Sequence, residues 1–155
     1  MASTITVDNI QGSTSAGTVK MPPGHVIQVV QGVSASQFTS SSTTPASTGL
    51  EVTITPKFAT SKILVSCASD WFVQSNSDES YCWIYRGSTE IFGKLKMWSN
   101  ESDISTAHMS VLDSPNTTSA ITYAMYGARV IGSGNAYWGH GGSNNAYITA
   151  MEIAQ

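Results

Sequence analysis

The sequence predicts an all-β fold, a jelly-roll-like antiparallel β-sandwich with an extended N-terminal arm. Composition gives the first reason: 24 Ser, 17 Thr and 13 Gly among 155 residues favour strands and turns, because helices are built from Ala, Leu, Glu, Lys and their like. Periodicity gives the second, since apolar and polar residues alternate along much of the chain. Spacing gives the third. Clusters rich in Ser, Thr, Gly and Pro separate short apolar runs, as in a sandwich or barrel, and no solenoid-length repeat recurs.

Taken in order, residues 1–24 form the arm. Ile5, Val7 and Ile10 make one strand-like apolar strip, followed by the Ser/Thr/Gly stretch QGSTSAGTVK and then Met21-Pro22-Pro23-Gly24. A strip that cannot bury itself is expected either to dock on a neighbouring subunit or larger assembly, or to serve as an edge strand. The sandwich, residues 25–155, begins with HVIQVVQ as a strand over 25–31. The following SASQFTSSSTTPASTG reads as a loop too polar for a core. In LEVTIT, Leu50, Val52 and Ile54 alternate with Glu51, Thr53 and Thr55, so one face is buried and one is wet. After Pro56, the run KILVSCASDWFV (62–73) is apolar on both faces and reads as the central strand.

SYCWIYRGSTEIF reads as a hairpin whose turn is Arg86-Gly87-Ser88-Thr89, and a helical turn is expected near Asp78. STAHMSVLDSP gives a strand ended by Pro115. SAITYAMYGARVIG follows, with Ile121, Tyr123 and Met125 on one face and Thr122, Ala124 and Tyr126 on the other, and NAYITAMEIA closes the set at eight or nine strands. Gly132-Ser133-Gly134 and Gly139 to Asn145 read as mobile loops.

Charge excludes several functions. Only 11% of residues are charged, against about 25% in an average soluble domain, and a net charge of −3 gives no basic footprint for nucleic acid. No apolar run approaches the roughly 20 residues of a membrane span. The start MASTITVDNI lacks the marks of a secretory leader, so synthesis and folding are expected in a host cytoplasm. There Cys67 and Cys82 should be free, buried thiols.

No cofactor, metal or catalytic residue is expected. His25, His108 and His140 share no ligand spacing, Asp70 and Asp78 with Glu79 could form a carboxylate pair but flank a probable loop, where acids are usually solvated, and no nucleophile or phosphate-loop motif occurs. The aromatics are more informative. Trp71 and Trp83 lie in strand-like text and read as core, whereas Trp98, Tyr137 and Trp138 lie in loop-like text and are candidates for a contact surface.

Three segments, MASTITVDNIQGSTSAGTVKMPPGHVIQVVQ, TGLEVTITPKFATSKILV and YITAMEIAQ, resemble small virion structural proteins and fibre domains of tailed bacteriophages. That resemblance implies a homotrimer located in the virion. It also implies one of two roles. As a capsid decoration (cement) protein, the chain would clamp the major capsid protein through Ile5, Val7 and Ile10. As a tail-fibre or receptor-binding tip, it would join a tail protein and bind host glycans. The absence of shaft repeats or a coiled-coil stalk favours decoration. A third reading, a small carbohydrate-active enzyme or free lectin, would need paired carboxylates in an aromatic cleft if catalytic.

Overall fold

The computed structural model describes residues 21–74, 78–98, 104–139 and 146–155. These form ten strands: β1 (Val26–Ser34), β2 (Phe38–Ser40), β3 (Ala46–Ile54), β4 (Lys62–Val73), β5 (Glu79–Arg86), β6 (Thr89–Trp98), β7 (Ser105–Asp113), β8 (Ile121–Ile131), β9 (Ala136–Trp138) and β10 (Ala146–Ile153). All ladders are antiparallel, in a six-stranded sheet and a four-stranded sheet ordered β3-β8-β5-β6.

In the six-stranded sheet, β10 and β9 lie end to end along one edge of β4, pairing with residues 62–68 and 71–73 respectively. Outside them run β1 and β2, and β7 takes the other edge of β4. Counting each end-to-end pair as one interrupted strand leaves eight, four to a sheet, connected as in a jelly roll. The chain is therefore an all-β sandwich, with β4 central as its apolar sequence requires.

The core lies between the sheets. Leu50, Val52 and Ile54 of β3 meet Ile63, Val65 and Cys67 of β4, with Ile84, Tyr123, Met125 and Ile148 filling the rest. Each such side chain contributes about 1.5–3 kcal/mol when fully buried. Trp71 and Trp83 are buried as expected. The β5–β6 hairpin turns through Gly87 and Ser88 between paired Arg86 and Thr89. Gly87 has φ 55° and Ser88 does not share its sign. That places the one obligatory positive φ at the first central position, where glycine is needed.

A cluster of polar contacts ties the sheets together at one end. Arg86 of β5 donates through Nη1 to both carboxylate oxygens of Asp113 at 2.9 and 2.7 Å, and the Tyr123 hydroxyl donates to the same carboxylate at 2.8 Å. Burial, with the Asp113 carboxylate beside it, holds the Tyr123 hydroxyl well above the ordinary phenol range. Nearby, fully buried Glu152 accepts from the Gln28 amide at 2.6 Å and from the Lys57 and Phe58 N–H groups at 2.9 and 3.2 Å.

Two expectations need correction. The Ser/Thr-rich segment 34–49 holds β2 and the start of β3. Its hydroxyls satisfy themselves, as Thr48 Oγ1 donates to the Met125 carbonyl at 2.9 Å, so polarity does not bar it from a buried ladder. Gly132-Ser133-Gly134 is a pinned turn: the Ser133 and Gly134 N–H groups each donate to the buried Asp78 carboxylate at 3.0 Å. No helix occurs among the described residues; Asp78 immediately precedes β5, and the turn expected near it extends into residues 75–77, outside the described residues.

Candidate functional surfaces

Because side chains alternate along a strand, the outer face of the six-stranded sheet can be read directly from its register. Val29, Met151, Leu64 and Leu112 are aligned across β1, β10, β4 and β7 in one apolar row. Beside it runs a row of Gln31, Thr149, Ser66 and Ser110, then a third of Val33, Tyr147, Ala68 and His108. None of these twelve residues is an acid, a lysine or an arginine. Val29 and Leu112 of the first row and Val33 of the third are 53%, 49% and 67% exposed, which leaves large apolar side chains open on one face.

The second surface is a cleft of about 420 Å³ between the edges β6 and β7. Its floor is Trp71, Met97 and Ala107, all buried, and its rim carries Trp98 and His108. Trp98 is 60% exposed. Around it, Lys96 is paired with Glu79 at 2.7 Å, Thr106 donates to Asp70 at 3.0 Å, and His108 Nε2 shares a hydrogen bond with the Ser66 hydroxyl at 3.1 Å.

A third, smaller cleft of about 310 Å³ lies on the outer face of the four-stranded sheet, where Tyr81, Trp83, Glu90 and Lys94 converge with Thr43 and Pro45. Here Lys94 lies over the Tyr81 ring, 6.0 Å from its centroid, and Trp83 is buried. The neighbouring Tyr85 hydroxyl is held above its ordinary value by burial and by the Glu90 carboxylate.

The structure separates the aromatic candidates. Trp98 is exposed as a contact surface requires. Tyr137 and Trp138 lie on β9, not in a loop; Tyr137 stacks on Phe72 at 4.3 Å with rings 4° from parallel. Trp138 is only 1% exposed and sits in the core, so it is withdrawn from the contact surface. Its strand was hidden in the sequence because it is three residues long and flanked by glycine-rich text.

Ile5, Val7, Ile10 and His140 lie outside the described residues. His25 Nδ1 is 3.0 Å from the Pro22 carbonyl and His108 Nε2 is 3.1 Å from the Ser66 hydroxyl, so the two engage different partners. Among the described residues no three of His, Cys, Asp and Glu gather as a metal would require. Asp70 and Asp78 engage different partners, Thr106 and the Ser133–Gly134 backbone. The apolar outer rows were missed in the sequence, although the alternation Tyr147, Thr149, Met151 along YITAMEI carries one strand of them.

No family profile and no curated protein sequence matches the chain. Among solved structures, it is similar to a chain of infectious bursal virus derived T=1 particles, at 10% identity, TM-score 0.48, covering 83% of this chain and 36% of that one. A chain of infectious bursal disease virus strain Gx aligns at 12% identity, TM-score 0.48, over 96% of this chain and 42% of that one. The chain thus spans about two fifths of these proteins. Likenesses of this degree assign no family.

Proposed function

We propose that this chain is a virion structural protein: a homotrimeric capsid decoration protein on the head of a tailed phage, stabilising the shell by non-covalent contacts. One observation carries the assembly part of the reading, an outer patch of twelve residues without an acid, lysine or arginine that includes the row Val29, Met151, Leu64 and Leu112. Its occupant is a second copy of the chain. Copies with a net charge of −3 repel one another, and a patch that holds no carboxylate adds nothing to that repulsion. Four strands at about 4.8 Å spacing and five residues at about 3.4 Å give a footprint of roughly 330 Å². A stable interface buries about 800 Å² per partner, so the patch supplies about two fifths of one and the surface around it must supply the rest.

In a threefold arrangement the contact is heterologous, each face meeting a different surface on the next copy. That leaves the arm, residues 1–24, to clamp the major capsid protein through Ile5, Val7 and Ile10. The arm departs beside the chain terminus, where Gly24 N–H donates to the Ala154 carbonyl and Ala154 N–H to that of His25, both at 2.9 Å. Twenty residues before Met21 can span up to about 66 Å when extended, enough to cross to an adjacent subunit. Jelly rolls serve in viral capsids and in lectins alike, so the fold accords with the reading without selecting it.

The alternative, a tail-fibre or receptor-binding tip, is favoured by the exposed Trp98 and its cleft. Imaging virions of the encoding phage with an antibody to this chain separates the two. Label over the whole head supports decoration; label only at the tail supports the tip; virions without label overturn both.

A further inference from the structure

We propose that the cleft between β6 and β7 is a binding site for a neutral saccharide, with the exposed indole of Trp98 as its stacking platform. The inference does not rest on the decoration reading, and either can fail alone. Its size, about 420 Å³, falls in the lower part of the range for small-molecule pockets, about 300–1,000 Å³.

The chemistry of the walls selects the ligand. An indole offers a flat apolar face beside a wet rim, which matches the C–H face of a pyranose with hydroxyls around its edge. The rim is rich in groups that exchange hydrogen bonds with hydroxyls: Ser105, Thr106 and the His108 imidazole. Two charged groups border it, Lys96 and, behind Thr106, the Asp70 carboxylate that accepts the Thr106 hydroxyl at 3.0 Å. Lys96 is held by Glu79 at 2.7 Å, so an anionic ligand would compete with a carboxylate already in place, and a cationic one would face the Lys96 ammonium. A ligand that is polar but uncharged meets neither penalty.

Rigidity adds to this. The floor residues Trp71, Met97 and Ala107 are 4%, 4% and 3% exposed, so the cleft is backed by packed core and keeps its shape when empty. Binding therefore spends little on ordering the protein. By contrast, the cleft at Tyr81 has its ring face covered by Lys94 and its Trp83 buried, leaving no open aromatic platform there.

The tryptophans make the test direct. Trp71, Trp83 and Trp138 are 4%, 3% and 1% exposed and Trp98 is 60%, so iodide quenching of fluorescence in the full-length chain reports on Trp98. Methyl glucoside, methyl galactoside and N-acetylglucosamine are titrated separately, with saturation-transfer NMR on the same samples. The expected result is shielding of Trp98 from iodide by at least one sugar with a dissociation constant of about 1 mM, and saturation transfer to its ring C–H protons. Trp98→Ala should abolish the transfer, and Thr106→Val should weaken binding about threefold or more, both with unchanged melting. Absence of transfer from all three sugars overturns the proposal. So does transfer that survives Trp98→Ala, or shielding of Trp98 by tetramethylammonium alone.

Discussion

The indole N–H of Trp138 donates to the Sγ of Cys82 at 3.0 Å, across the sandwich from β9 to β5. The Cys82 thiol in turn donates to Met97 Sδ at 3.4 Å. Trp138 can lie there because position 127 on β8 has no side chain; a Cβ at Gly127 would stand 2.7 Å from the indole ring. Gly127→Ala should therefore destabilise the fold by about 2–3 kcal/mol through overpacking. Thermal melting checks this, with a fall of about 2–4 °C expected for each kcal/mol; an unchanged melting temperature would mean that Trp138 is placed elsewhere.

Much of the fold is legible in the sequence because alternation is a direct record of burial. β4 occupies the residues 62–73 that the apolar run marks, and Tyr123 and Met125 face inward as their spacing requires. What the sequence hides is long-range. Asp78 reads as a solvated acid until the Ser133 and Gly134 amides, 55 and 56 residues away, are brought to it. Trp138 reads as a loop residue because the strand that buries it is short and its hydrogen-bond partner lies 56 residues earlier. Of the candidate contact residues, Trp98 alone keeps an exposed aromatic face, and no local pattern distinguishes it from Trp138.

The two thiols should be inert in the native protein. Both are fully buried, and burial pushes Cys67 up to about 12 and raises Cys82 as well. Since the thiolate is the reactive form, a thiol reagent at neutral pH should label neither residue quickly and both after denaturation. Rapid native labelling would contradict the placement of β4 or β5.

The acid limb of stability should depend on Glu152. Burial alone would raise its carboxyl, but the Lys57 N–H, the Gln28 amide and the Phe58 N–H together hold it below the ordinary 4.5. A carboxyl depressed in the folded state contributes stability above its unfolded value and loses it as pH falls through the folded one. Glu152→Gln should lower stability near neutrality by about 2 kcal/mol and flatten the fall in melting temperature below pH 4.5. Parallel pH profiles for the two proteins would refute this.

The Asp78 turn should behave as a coupled unit. Gly132 has φ 103°, and a Cβ there would collide with the Asp78 carboxylate. Gly132→Ala should cost about 3 kcal/mol from strain and overpacking, and Asp78→Ala about 2–3 kcal/mol from two unsatisfied amides. In the double variant the collision with the carboxylate is gone and only the approach to the residue-78 Cα at 2.9 Å remains, so the combined loss should fall short of the sum by about 1 kcal/mol or more. Denaturant melts of the four proteins measure it, and simple additivity would contradict the contact.

The central claim, that the apolar patch on the outer face of the six-stranded sheet is an assembly surface, is tested most directly by the mass of the full-length chain in solution. Light scattering at micromolar concentration should give three times the 16.4 kDa chain mass. Leu112→Lys, at a side chain that is 49% exposed, should reduce that mass while leaving the cooperative melt in place. A mass of 16.4 kDa for the unsubstituted chain would contradict the account.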